Sequence, residues 1–235
     1  HTARVAQEEG AEIVLTGFGR GMRLTERSAQ RLPVAPDVVE LDINDPGHMA
    51  SLVAELGRRW GAVDGALHAI AFAPEDALGG NFLATPAESA GTAFLTSAFS
   101  FKTLAVGLRP LLQKAGGGGL VTLDFDNSQA WPAYDWMGVA KSALQSVSRY
   151  LAKEVGPRGI RSNLVAAGPI KTMAAKSIPG YAGYESVWHE RAPLGWEMTD
   201  PLPTAQACVA LLSDWFPKTT GEIVHVDGGV HAVGA

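Results

Sequence analysis

LDFDNSQAWPAYDWMGVAKSALQSVSRYLAKEVG, residues 123–156, runs into PRGIRSNLVAAGPIKT, residues 157–172, and these two stretches decide the fold. The first closes a strongly apolar run, Leu120–Phe125, and then enters a segment from about Tyr134 to Glu154 with apolar residues such as Leu144, Val147 and Leu151 at helical spacing. RSNLVAA (161–167) is apolar enough for a buried strand and stops at Gly168-Pro169. Strand, helix, strand is a βαβ unit, which calls for a parallel sheet. Working outward, the same alternation recurs. Upstream lie EIVLTGF (12–18), an Arg-rich helical stretch (20–31) ended by Pro33, VVELDI (38–43), a helix carrying Met49, Leu52, Val53 and Leu56, ALHAIAF (66–72), and a long helical stretch from about Ala87 to Leu112. Downstream come an irregular segment (168–196), a helix at about 204–213, and EIVHVDGG (222–229). The opening HTARVAQEEG reads as the end of a helix stopped by Gly10. The expectation is one α/β domain over residues 1–235, a doubly wound parallel sheet with helices on both faces.

Composition narrows the function. Lys and Arg number 19 against 24 Asp and Glu, a net charge of -5, which argues against a protein built to neutralise nucleic-acid phosphates. A 46% hydrophobic share with 18% charged residues supplies a core and argues against disorder. Cys208 is the single cysteine, so neither a disulfide framework nor a cysteine-cluster metal site is available. The six histidines show no HxxxH or HExxH spacing, so metal chemistry is not expected, and no G-x-S-x-G elbow marks a hydrolase. No apolar run reaches the roughly 20 residues of a membrane span, and the opening lacks the apolar core of a secretory signal. A cytoplasmic protein without membrane partners is the expectation.

In open parallel sheets ligands gather at the carboxyl ends of the strands. The residues there are Phe18, Asp42, Phe72, Phe125 and Gly168. Tyr134 and Lys141, spaced Y-x6-K, can share one helix face about 10 Å apart. A tyrosine donates to a developing oxyanion, and a lysine holds a cofactor hydroxyl while favouring that donation. Spacing alone favours a core tyrosine beside a surface lysine, and the neighbouring strands tip the balance toward chemistry. Phe125 is a cavity wall or simple packing, Asp42 an adenine contact or a turn former, and Arg20 and Arg23 a phosphate contact or a solvated helix face.

Taken together, LTGF, VVELDI, HAIAF, the 123–156 block, RSNLVAAGPIKT, ALLSDW and TTGEIVHVDGG resemble the actinobacterial enoyl-acyl-carrier-protein reductases, members of the short-chain dehydrogenase/reductase superfamily, over essentially the whole chain. The resemblance implies a Rossmann-like fold and reduction of trans-2-enoyl thioesters on acyl carrier protein by NADH, with NADPH left open by Arg20 and Arg23. It implies Tyr134 as hydrogen-bond donor to the thioester oxygen, Lys141 on the nicotinamide ribose, and Phe125 beside the reacting centre. It places Phe18, Asp42, Ile43, Ile70 and Ala71 along the cofactor, with Ala167, Gly168, Ile170 and Thr172 at its nicotinamide and pyrophosphate end. Phe72, Met137 and Met173 join Tyr134 around the acyl chain, within a substrate-binding loop at about 169–196. A homotetramer is implied, paired through the helices Ala87–Leu112 and Tyr134–Glu154, whose Leu144, Val147 and Leu151 read as apolar surface beyond what one sheet face needs. Ordinary short-chain dehydrogenases carry Y-x3-K; here Met137 stands four residues before Lys141, against a carbonyl-reducing relative.

Three departures from the family pattern stand out. The chain begins inside the first helix, so the first strand and its glycine loop are expected to belong to a longer gene product; the alternatives are a fold that brings the flanking strands EIVLTGF and ALHAIAF together, or a non-catalytic remnant. HAIAF replaces the family's HSIGF, so Ala69 lacks a hydroxyl and Ala71 adds a methyl group. The segment between Thr172 and Arg191 reads about ten residues short, from which a preference for shorter acyl chains follows unless Tyr181, Tyr184 and Trp188 fold over and replace the lost wall.

Overall fold

The computed structural model describes residues 1–172, 175 and 182–234. In chain order the elements are α1 (Thr2–Glu8), β1 (Leu15–Gly17), α2 (Met22–Ala29), β2 (Val38–Glu40), α3 (Pro46–Arg59), β3 (Gly65–His68), α4 (Ala87–Phe94), α5 (Ser100–Lys114), β4 (Gly118–Asp124), α6 (Asp135–Val155), β5 (Ile160–Ala167), α7 (Ala182–Arg191), α8 (Leu202–Leu212) and β6 (Ile223–Val226). Every strand pairing is parallel among the described residues, as the alternation requires.

Strand β4 shows why this sequence makes a two-sided layer. Leu120 faces one way, into a core with Leu104, Leu108, Leu144 and Leu164 from α5, α6 and β5. Val121 faces the other way, against Val165 of β5 and Cys208 and Leu211 of α8. Successive side chains of a strand point to opposite faces, so a strand covered on both sides needs apolar residues on each, as Leu120, Val121 and Leu123 provide here. Burial pushes the Cys208 thiol up to about 12, which leaves it an inert packing group.

The sheet is in two parts, β1–β2 and β3–β4–β5–β6. β1 and β3 do not hydrogen-bond to each other, and a cavity of about 360 Å³ lies between them, lined by Val14, Thr16, Ala66 and Leu67 among others. These two strands therefore do not come together as sheet neighbours.

Three expectations are corrected in detail. EIVLTGF and VVELDI supply strands of only three residues each, because β1 and β2 pair with each other alone. The single long helix from Ala87 is two helices joined by a π-helical turn, Leu95–Phe99. That turn lets the Ser97 hydroxyl accept from Phe72 N–H and donate to Phe72 C=O, both at 2.9 Å. Finally, Leu144 and Leu151 belong to the core, so they are not surplus apolar surface.

Leu144 is fully buried at the centre of α6. Leu144→Ala is expected to lower unfolding stability by about 2–5 kcal/mol, measured by urea titration, since the core can relax only partly around the void.

Candidate active site

The carboxyl ends of β3, β4 and β5 open on a cavity of about 680 Å³. Its wall includes Ala71 and Phe72 after β3, Asp124 and Phe125 at the end of β4, Tyr134 and Met137 at the start of α6, and Ala167, Gly168, Ile170 and Thr172 after β5. Nine residues singled out in the sequence therefore meet around one space: Ala71, Phe72, Phe125, Tyr134, Met137, Ala167, Gly168, Ile170 and Thr172.

Tyr134 is the residue that begins α6, in helical backbone geometry, with Asp135 the first helical residue. Its ring is buried against Leu78, Met137 and Ala140 and lies edge-on to Phe125 at 5.2 Å. Burial, then the nearby Asp124, pushes its hydroxyl far above the ordinary tyrosine range, so it stays a neutral donor.

Lys141 lies two turns further along the same helix, buried, with Nζ donating to Leu123 C=O at 2.7 Å. Burial lowers its pKa and the Asp124 carboxylate opposes that shift. Asp124 is 5% exposed; its Oδ2 accepts from Gln145 Nε2 at 2.8 Å, while its buried Oδ1 has no hydrogen-bond partner. Burial raises the Asp124 carboxyl from 3.8 to about 6, partly countered by Lys141 and Gln145. His68, beneath this pair, joins Thr122 Oγ1 and Ser100 Oγ at 2.8 Å each, and burial followed by the Lys141 charge lowers its pKa to about 3. It is neutral at any physiological pH.

Phe125 is the hub of an aromatic wall, with ring centroids 5.5 Å from Trp131, 5.8 Å from Tyr184 and 5.7 Å from Trp188. Gly168 lets the chain pass beneath that wall: a Cβ there would stand 2.7 Å from both Trp188 Nε1 and Trp196 Cε2. No side chain larger than hydrogen fits.

The remaining expected positions lie elsewhere. Phe18 is 52% exposed, edge-on to His48 at 6.2 Å. Asp42 Oδ1 accepts from Asn44 N–H at 3.0 Å, the turn-forming use of an aspartate. Ile43 is a core residue and Ile70 packs against the same core. Met173 and Tyr181 lie outside the described residues, as does much of the segment read as short, and Arg20 and Arg23 are exposed.

Sequence reasoning missed Asp124, Gln145 and Leu78. Gln145 follows Lys141 by four residues and so shares its helix face, a signal that was available. Leu78 arrives from a loop with no periodicity to announce it. No group of three or more potential metal ligands occurs among the described residues.

The parallel sheet with helices on both faces is the Rossmann-like fold of the short-chain dehydrogenase/reductase type. The family model described as enoyl-(acyl carrier protein) reductase matches residues 1–231, and the chain belongs to that family. It is 47% identical to the enoyl-acyl-carrier-protein reductase (NADH) of Mycolicibacterium smegmatis over 97% of this chain and 89% of that protein. The Mycobacterium avium protein of the same name is 45% identical over the same shares. The Escherichia coli K12 protein is 34% identical over 97% of this chain and 86% of its own length.

The raised Asp124 pKa carries a sign. The native state holds that proton more tightly than the unfolded chain, so ionisation costs native stability as pH rises from about 4 to about 6, and the deficit is constant above. Asp124→Asn is therefore expected to gain thermal stability relative to wild type over that interval, with the difference in Tm levelling off above pH 6. Parallel thermal melts between pH 4 and pH 8 check this.

Proposed function

We propose that the protein reduces the carbon–carbon double bond of trans-2-enoyl thioesters carried on acyl carrier protein, with NADH, in fatty-acid synthesis. The observation that carries this reading is the pairing of Tyr134 on the cavity wall with the buried Lys141 ammonium on one face of α6, in the family to which the chain belongs.

The site suits a nicotinamide nucleotide. Lys141 Nζ and the partnerless Asp124 Oδ1 offer a donor and an acceptor for ribose hydroxyls, and the tight Gly168 turn with Thr172 suits the carboxamide and pyrophosphate. When bound, NADH supplies the hydride for the β-carbon. A proton from solvent then completes the α-carbon, and the chain's own residues hold the substrate and the charge that develops between the two transfers. Tyr134 donates to the thioester oxygen, where negative charge develops, and its depressed acidity keeps the proton in place as a hydrogen bond. Phe125, Tyr184 and Trp188 exclude water from the reacting carbons, which strengthens that bond. Met137, Leu78 and Phe72 offer apolar contact to the acyl chain. The neutral His68 bears no competing charge beneath Lys141. Met137 at the position where carbonyl reductases have their tyrosine supports the enoyl reading over the carbonyl one.

A homotetramer acting in the cytoplasm is part of the proposal. No helix among the described residues is long and apolar enough to cross a membrane. On the outer face of α4, α5 and α6, Phe94, Phe99 and Tyr150 are 42%, 40% and 67% exposed around a shallow cavity that Val147 also lines. An apolar patch of this kind supports pairing with a second copy. Val147→Glu is expected to shift the sedimentation coefficient to that of a smaller assembly at micromolar concentration.

Two substitutions test the chemistry. Tyr134→Phe is expected to lower kcat by about 10²–10³-fold, the usual loss for one oxyanion donor, with little change in NADH affinity. Lys141→Ala is expected to weaken NADH binding in a fluorescence titration. An unchanged kcat in the first, or unchanged affinity in the second, would remove that residue from its role.

A further inference from the structure

The turn that presents Tyr134 is the most constrained stretch of backbone near the cavity. Among the described residues, the non-glycine residues with positive φ are Ala133, at 61°, and Asp135, at 41°, one on each side of Tyr134. Left-handed backbone is tolerated by aspartate but is held at alanine only when the surroundings fix it. Here the surroundings are visible. Tyr184 Oη donates to Pro132 C=O at 2.7 Å, and Gly79 N–H donates to Ala133 C=O at 3.0 Å. Asp135 Oδ2 accepts from both Gly80 N–H at 2.6 Å and Asn81 N–H at 3.0 Å. Trp136 Nε1 donates to Phe82 C=O at 3.1 Å, and its ring stacks on Phe82 at 5.3 Å.

Four consecutive hydrogen bonds therefore clip the loop 79–82 onto residues 133–136, and Tyr134 sits in the middle of the clip. The same loop begins at Leu78, which is 7% exposed and packs on Tyr134 and Met137. The one charged member is the Asp135 carboxylate, and its bonds to two amides are charge-assisted, hence stronger than the neutral ones beside them.

We propose that Asp135 is a positioning residue for the reduction: by tying the Gly80 and Asn81 amides to the turn, it fixes the aim of the Tyr134 hydroxyl. The proposal rests on the reading of Tyr134 as donor to the thioester oxygen. The donor contributes only if it is already aimed where charge develops, and a misplacement of about 1 Å can cost on the order of 10²-fold in rate.

Asp135→Gly removes the carboxylate while leaving φ near 41° accessible, so it tests the tether apart from the backbone conformation. The expected result is a kcat about tenfold lower, within the range such misplacement produces, with NADH affinity unchanged and with hydrogen-exchange protection lost at the Gly80 and Asn81 amides. Asp135→Asn, whose amide oxygen accepts the same two bonds and which tolerates the left-handed region, is expected to restore both turnover and protection. In a Tyr134→Phe background, Asp135→Gly is expected to add no further loss, because there is no hydroxyl left to aim. If the glycine variant does not fold, Asp135→Glu displaces the charge by one methylene and is expected to show the same loss of protection and of kcat. Wild-type kcat in whichever variant folds with both amides deprotected overturns the proposal, as does a full additional loss in the Tyr134→Phe background. A Tyr134→Phe enzyme with wild-type kcat instead removes the donor reading itself, and the positioning role with it.

Discussion

An ammonium buried beneath the end of a parallel strand has to be compensated, and the arrangement around Lys141 is organised by that requirement. An ionised group taken out of water without partners loses several kcal/mol, so it either neutralises or gathers acceptors. Lys141 gathers them. Leu123 C=O accepts directly, and Asp124 supplies the opposite charge, itself steadied by Gln145. His68 remains uncharged between Thr122 and Ser100, avoiding a second cation in the same pocket. The compensation is incomplete, since Asp124 Oδ1 lacks a partner. A bound polyol hydroxyl is the kind of group that would complete it.

This arrangement exists because β4 and β5 pair over seven residues in register, Gly118 with Ile160 through Asp124 with Ala166. The ladder places Asp124, Phe125, Ala167 and Gly168 at one edge, and α6 crosses back over it carrying Tyr134 and Lys141. Much of this was legible in the sequence. The Leu120–Phe125 run and the Leu164–Ala167 end of β5 read as largely apolar because both their faces are covered, and α6 was bounded to within a residue or so by its spacing. The short β1 and β2 read as longer, because an apolar run does not reveal how many partners its backbone finds.

The site was less fully legible for a related reason. Residues on regular elements follow a period, and Tyr134, Met137, Lys141 and Gln145 lie along one helix. Leu78 and Tyr184 reach the cavity through tertiary folding of a loop and α7, and the bond from Tyr184 to Pro132 spans 52 positions. Phe18 and Asp42, expected along a cofactor nearer the front of the chain, lie outside this cavity, and their local geometry is that of a surface aromatic and a turn former.

The π-helical turn at Leu95–Phe99 has a bearing on how length changes are tolerated in this fold. Such a turn is an α-helix carrying one surplus residue. The surplus puts α4 and α5 out of phase, so that α5 turns Phe101, Leu104, Ala105 and Leu108 to the core while Ser97 reaches Phe72 at the cavity rim. Removing one residue from the turn would leave an unbroken helix of ordinary hydrogen bonding, yet would rotate one half against the other by about 100°. A shortening that tidies the backbone would therefore scramble either the core or the rim. The irregularity acts as a frame marker, fixing the spacing between two faces that the sequence must satisfy together.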